Sequence, residues 1–376
     1  MKRKELYFII LCIFLFMSAI LCRTEIAEAI IAAGTRCVLV IIPSLYLFSV
    51  LAAFCIRTGI LEALSAPLNG FCRKFLRTDG IFVVILLFSQ LAGYPVGAQL
   101  LQQMRVKHDL PPALMRRLLC CCFGCGPAFL FGMCSGFPRR LAALLMLSVI
   151  LPNVLLGLFL IRGGRMHTAA NISADSTDLT AAVESAAAAM LKISSMILLF
   201  AALSGMLGGF ACLRRAGEFA AELSGCPSAL VQSGCAAVME ISSLTEFLRQ
   251  GGSLPAAAAL LSFGGICVHL QNAAICSGDF PWRKFLLVRI CCAFCTYWLC
   301  RAGLWLSGDA VSPVFCEFHP YSTALTENSV LPLLCLLVMV LLLLDRLSQT
   351  AGVGRMKKNV KKSSLFTNKS LTNDGK

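Results

Sequence analysis

Charge is scarce in this sequence: only 14% of its 376 residues are Asp, Glu, Lys or Arg, where an ordinary globular domain has about 25%. So few charges cannot clothe a water-facing surface, which excludes a water-soluble fold. Histidine is also rare, with four residues, His108, His167, His269 and His319. The chain has no HExxH, GxSxG or GxxxxGK[ST] pattern, so zinc-hydrolase, serine-hydrolase and phosphoryl-transfer sites have no sequence basis. No enzyme activity and no cofactor is expected. Alternating polar and apolar residues are missing as well, and stretches such as Leu333 to Leu344 are apolar all round. That excludes a membrane β-barrel, whose strands alternate over about 10 residues.

What is abundant is apolar surface, at 58% of residues with a mean hydropathy of +0.81. In lipid only helices satisfy every backbone N–H and C=O within one segment. The expected class is therefore all-α, a polytopic integral membrane protein. Runs of about 20 apolar residues fall near 6–22, 37–56, 80–104, 113–135, 140–161, 186–211, 228–248, 254–277, 284–306 and 329–346, or about ten transmembrane helices. The expected organisation is a signal-anchor helix over 1–29, a first repeat over 30–161 and a polar linker over 162–185. A second repeat over 186–306, an extracytoplasmic loop over 307–328, a C-terminal transmembrane helix over 329–347 and a basic cytosolic tail over 348–376 follow.

The 33 Lys and Arg residues sit in ones and twos at the edges of apolar runs, which marks topology rather than nucleic-acid binding. With both termini cytoplasmic, Arg57, Arg73, Lys74, Arg77, Arg139, Arg140, Arg214, Arg215, Arg283 and Lys284 fall inside. Arg105, Lys107, Arg116, Arg117, Arg162 and Arg165 do not fit, which points to a miscounted span or a re-entrant segment. The 21 cysteines lie mostly inside apolar runs and are read as small core residues, with no metal site at the two CxxC spacings.

Two stretches repeat in order. QLAGYPVGAQLLQQ (90–103), LPPALMRRLL and CCFGCGPAFLFG (121–132) in the first half parallel VMEISSLTEFLRQ (238–250), LPAAAALLSFGG (254–265) and ICVHLQNAA (266–274) in the second. Gly93, Pro95 and Gly97 disfavour a continuous helix, as do Gly124, Gly126 and Pro127. Interrupted helices at membrane depth line cavities, and half-helix N-termini attract anions. A substrate site is expected between these breaks, with Gln90 and Tyr94 beside them; the competing reading is close helix packing at glycine and a simple proline kink. The second half contributes Glu240, Ser242, Ser243 and Thr245, then His269, Gln271 and Asn272. Ionisable groups in a membrane face a cavity or a partner. Glu240 is expected as a proton or cation site, His269 as a polar ligand or its protonation partner, and Lys192 as a counter-charge for an anion. An interhelical hydrogen-bond network, or snorkelling in the case of Lys192, is the alternative.

The stretches IIPSLYLFSVLAAFCIRTGILEAL (41–64), GYPVGA (93–98), GPAFLFG (126–132) and FGGICVHLQ (263–271) resemble sporulation integral membrane proteins of the YlbJ type, within the wider group carrying nucleoside-recognition, or Gate, domains. The resemblance covers roughly residues 30 to 305 and makes both repeats Gate-like. It implies a multi-pass protein of an endospore-forming bacterium, in the cell membrane or the outer forespore membrane. The implied role is moving dipicolinate, a flat dianion, out of the mother cell toward the forespore. The chain departs from the family pattern at Cys121-Cys122-Phe123-Gly124-Cys125, where an asparagine-bearing approach is expected. A nucleoside permease and a non-transporting scaffold for the spore envelope are the alternatives. The expected partners are the lipid bilayer, a small anionic or nucleoside-like substrate and a coupling ion, but no nucleic acid.

Overall fold

The computed structural model describes residues 3–108, 110–133, 138–165, 176–276 and 280–307. The expected loop over 307–328, the helix over 329–347 and the tail over 348–376 lie outside the described residues, apart from Ser307 itself, as does the middle of the 162–185 linker. Among the described residues every regular element is a helix.

The chain begins with α1 (Arg3–Leu21), exposed along most of its length. α2 (Arg23–Arg36), a π-helical turn (Cys37–Ile41) and α3 (Ile42–Arg57) then run on as one 35-residue rod. Short helices α4 (Ile60–Ser65) and α5 (Asn69–Phe71) and a second π-turn (Cys72–Leu76) precede α6 (Gly80–Ala92) at a 95° bend. Next come α7 (Val96–His108), α8 (Pro112–Cys121), α9 (Pro127–Met133) and α10 (Arg139–Leu160). The remainder is α11 (Ser176–Gly209), α12 (Ala211–Ser224), α13 (Ser228–Met239), a 3-10 turn (Ile241–Ser243), α14 (Leu244–Arg249), α15 (Leu254–Phe263), α16 (Gly265–Ile275) and α17 (Trp282–Ser307).

Among the described residues five helical stretches are long and apolar enough to cross a membrane: Arg23–Arg57, Arg139–Leu160, Asp178–Gly209, Leu254–Ile275 and Trp282–Ser307. The composition and these helices are those of a helical membrane protein. The expected count of about ten is not confirmed: the span expected at 329–346 lies outside the described residues, and two of the others are interrupted by local chemistry. Segment 80–104 is cut at Gly93-Tyr94-Pro95, where Gly93 has a φ of 79°, a region glycine enters without steric penalty. Both arms then return to one place. The N–H of Gly80 donates to Asn69 Oδ1 at 2.8 Å, while at the other end Lys107 Nζ lies 2.8 Å from Glu62 Oε1. α6 and α7 thus form a hairpin closed on α4 and α5.

Segment 228–248 reverses in the same way at Glu240: the Phe247 ring on the returning arm is 3.5 Å from the Cβ position of Gly234 on the outgoing arm. Segment 112–133 continues, but is unwound over Cys122–Gly126.

The end of the bundle that carries Arg57, Glu62 and Lys107 is called the near end below, and the opposite one the far end. α11 packs antiparallel to the α2–α3 rod, with Ala182 and Ala186 against Val50 and Ala53 toward the near end. At the far end Gly205 lies against the Glu25 carbonyl, where a Cβ would stand only 2.6 Å away. Such small residues let helix backbones approach closely. α17 packs antiparallel to α10, joined by Arg289 and Asn153 at 2.7 Å. The first hairpin therefore opens at the near end and the second at the far end. The basic residues that fitted no simple span count gather at the near end. Lys107 is held there by Glu62, Arg117 donates to the Arg162 carbonyl at 3.3 Å, and Arg165 shares a cleft with Arg73 and Arg77.

Candidate functional site

The broken segments meet at the middle of the bundle. The Tyr94 N–H donates to the Gly124 carbonyl at 2.5 Å, so the first hairpin tip is stitched to the unwound 122–126 stretch. Glycine makes this possible: a Cβ on Gly97 would stand 2.5 Å from the Cys122 carbonyl oxygen, and one on Gly93 would be 3.1 Å from that of Cys125. Gly126 also has a positive φ, 67°, and Pro127 opens α9. Gln90 reaches across the gap, its Nε2 donating to the Cys121 carbonyl at 3.2 Å, with Gly124 seated directly against its amide oxygen. In the second half Gly264 and Gly265, with φ of 89° and 74°, interrupt α15 and α16. A Cβ on Gly265 would stand 3.1 Å from the Ile241 N–H nitrogen, and Gly264 lies against the Phe123 ring. Four interruptions thus touch in pairs, with Phe123 joining the pairs.

A small pocket lies between the two hairpin tips. Tyr94 and Pro95 line it from the first tip, Glu240, Ile241 and Ser242 from the second, and Gln271 from α16. Glu240 is 2% exposed. Its carboxylate accepts the Ser242 N–H at 2.9 Å and the Ser242 hydroxyl. Arg36 supplies the counter-charge: its guanidinium is 4.0 Å from Glu240 and donates to Ser242 Oγ at 3.0 Å and to Ser243 Oγ at 3.5 Å. The Tyr94 hydroxyl is buried and has no partner among the described residues, and neither has Asn272 Oδ1 or Gln90 Oε1. Leaving a buried polar group unpaired costs about 1–3 kcal/mol, which a bound hydrogen-bonding solute recovers.

The other expected residues separate into two groups. Gln271 lines the pocket and donates weakly to the Ile193 carbonyl at 3.4 Å. Thr245 bonds to the Ser242 carbonyl, within its own turn, at 3.3 Å. His269 does not meet Glu240: its Nε2 lies 2.7 Å from the Phe263 carbonyl, across the Gly264 break. Its ring is enclosed by Phe123, Phe263 and Phe285. It caps the interrupted end of α15. Lys192 is exposed on α11 and does not line the pocket.

Two cations escaped the sequence reading. Arg36 is one; the other is Arg289, which is 0% exposed. It donates at 2.7 Å to both Asn153 Oδ1 and the Cys120 carbonyl, and stands 4.7 Å from the centre of the Phe123 ring. A guanidinium suits the carbonyl end of α8, which carries partial negative charge. In sequence both arginines look like span-edge charges. The cysteine cluster lies on this same stretch, where Cys120 and Cys121 donate to carbonyls one helical turn back. No family model, no curated protein and no solved structure matches the chain.

Proposed function

We propose that the protein is a membrane transporter that carries a small organic anion through the pocket between the hairpin tips. The observation that carries this reading is the pocket itself: two interrupted hairpins, entering from opposite ends, bring an unpaired Tyr94 hydroxyl and the Glu240 carboxylate to one small, mostly apolar pocket, with Arg36 4.0 Å from Glu240 but outside the lining. Interrupted helices from related halves commonly build such sites at the membrane midplane. The order of rod, short helices, hairpin, broken span and long span occurs twice, over 23–160 and 176–307. It supports two related halves of inverted orientation. In this reading both hairpins are re-entrant. The near end faces the cytoplasm, because Arg73, Arg77, Lys107, Arg117 and Arg165 collect there; Arg139, Arg140, Arg214 and Arg215, expected inside, then lie at the opposite, far end.

A carboxylate solute binds by taking Arg36 from Glu240, and a proton on Glu240 releases that arginine. The coupling ion in this scheme is a proton. With the resemblance to YlbJ-type proteins, dipicolinate is the first solute to test, as a cargo moved out of the mother cell during sporulation. One observation favours a nucleoside instead. Arg36 and Glu240 already balance each other, and Tyr94, Ser242 and Gln271 are neutral, an array that suits hydroxyls and ring nitrogens.

Uptake of labelled dipicolinate and of a nucleoside into vesicles holding the full chain separates these readings. For an anion, Arg36→Gln abolishes uptake, Glu240→Gln leaves binding but removes its pH dependence, and Lys192→Gln changes nothing. For a nucleoside, Glu240→Gln abolishes uptake, because the carboxylate is then the hydroxyl acceptor. Uptake of neither solute by a stably inserted protein would sink the transporter reading in favour of a scaffold.

A further inference from the structure

A second feature lies at the near end, away from the central pocket. The loops at 77–79 and 161–165 are clipped together: Gly163 N–H donates to the Arg77 carbonyl at 3.0 Å, and Asp79 N–H to the Gly164 carbonyl at 3.1 Å. The Thr78 hydroxyl donates to the Gly164 carbonyl at 3.2 Å. Between them opens a cleft of about 500 Å³ lined by Arg73, Arg77, Thr78, Asp79 and Arg165. Arg73 is matched by Asp79 at 2.6 Å. Among the described residues Arg77 and Arg165 are in no ion pair, and three guanidinium groups line the cleft with the one carboxylate of Asp79. Arg77 has a φ of 56°, uncommon for a residue other than glycine.

Exposed aromatic rings flank the two cleft-forming segments in the chain. Phe71 and Phe75 are 60% and 61% exposed, their rings 4.8 Å apart, and Lys74 stands 5.6 Å from the Phe75 ring. On the other side Phe159 is 64% exposed beneath Arg162, at 5.7 Å. Exposed rings beside cations mark a level where hydrocarbon gives way to water. A free anion has no use for such rings, whereas a lipid has acyl chains to lay against them.

We infer that the Arg73–Arg77–Arg165 cleft binds the phosphate headgroup of an anionic phospholipid, with Phe71, Phe75 and Phe159 taking its acyl chains. Guanidinium forks match phosphate oxygens in pairs, and anionic lipids concentrate in the cytoplasmic leaflet, where polybasic segments find them. The site does not depend on what the central pocket carries.

The test uses the purified full chain in a neutral detergent, with dioctanoyl phosphatidylglycerol, dioctanoyl phosphatidylcholine and inorganic phosphate as probes. Lipid retention is read by native mass spectrometry and by thermal shift. Phosphatidylglycerol is expected to bind the wild type, and each lost arginine to weaken binding about 5-fold, in Arg165→Gln and again in the Arg77→Asn, Arg165→Gln pair. Asparagine tolerates a positive φ, so this pair removes charge without new backbone strain. Should it fail to fold, Arg165→Gln alone decides, because that side chain is exposed. The Arg139→Gln, Arg140→Gln pair, on α10 at the far end, is expected to bind as the wild type does. Undiminished phosphatidylglycerol binding by the cleft variants, equal binding of phosphatidylcholine, or displacement of the lipid by phosphate at matching concentration would each overturn the assignment.

Discussion

At the scale of single residues, the middle of the molecule is held by contacts that only particular side chains can make. Arg289 joins three helices through one rigid fork, taking Asn153 on α10 and the Cys120 carbonyl near the end of α8 while resting on Phe123. Lysine keeps the charge but not the fork, so Arg289→Lys leaves at least one buried acceptor unpaired. The expected loss is about 1–3 kcal/mol, read as an earlier thermal transition of the detergent-solubilised protein. A wild-type transition in that variant would mean the fork is not what holds the break.

The glycine and proline interruptions of the first half were readable because their backbone chemistry is written in the residue itself: Gly93, Pro95, Gly124 and Gly126 all fall at observed breaks, whereas the break at Gly264 falls inside a segment read as one span. The break at Glu240 was not readable as one, since a carboxylate, two serines and a threonine give no breaker signal. What ends the helix there is the Glu240 side chain accepting the Ser242 N–H in place of a carbonyl. Arg36 and Arg289 stayed hidden because a cation near a span edge reads as a topology marker until its partners are seen.

At the scale of elements, the hairpin of α6 and α7 is latched to α4. Lys107 Nζ and His108 Nε2 both reach Glu62 Oε1, at 2.8 and 2.7 Å. Burial pushes the Glu62 carboxyl up, but the hydrogen bonds from Lys107 and His108 outweigh it, and the net shift is below the usual 4.5. A carboxyl that holds its proton less tightly when folded contributes stability that is full above its unfolded value. That stability is lost as pH falls through the folded value.

Amide exchange in 96–108 is therefore expected to accelerate as pH drops below 4.5, after correction for intrinsic rates. Glu62→Gln removes this dependence while exchange in α17 stays as it was. Identical pH profiles for the two proteins would show that the latch carries no weight. The latch was not legible in the sequence, because 62 and 107 are joined only once the helix between them has doubled back. Proline and glycine say where a helix stops; whether the chain then continues or reverses depends on what the second arm packs against.

At the scale of the whole molecule, the direction of each segment follows from the two reversals. Reporter fusions after Arg77, His108 and Arg165 are expected to lie on one side of the membrane, and those after Gly225 and Gly251 on the other. A chain with full spans at 80–104 and 228–248 would place Arg77 and His108 on opposite sides, an outcome that refutes the hairpin arrangement. Helical class and apolar character were legible from composition alone. The span count was not, since hydropathy weighs a reversing segment and a crossing one alike.

The π-helical turn at Cys37–Ile41 sets the azimuth of everything before it. Such a turn amounts to one additional residue threaded into an α-helix, and each residue rotates the helix by about 100°. Arg36 sits immediately ahead of it. The phase of that insertion decides whether the guanidinium looks into the cavity or out into lipid. Deleting one residue within 37–41 would leave composition and hydropathy almost untouched, yet would swing Arg36 off Glu240 and leave the second hairpin tip holding an unanswered negative charge.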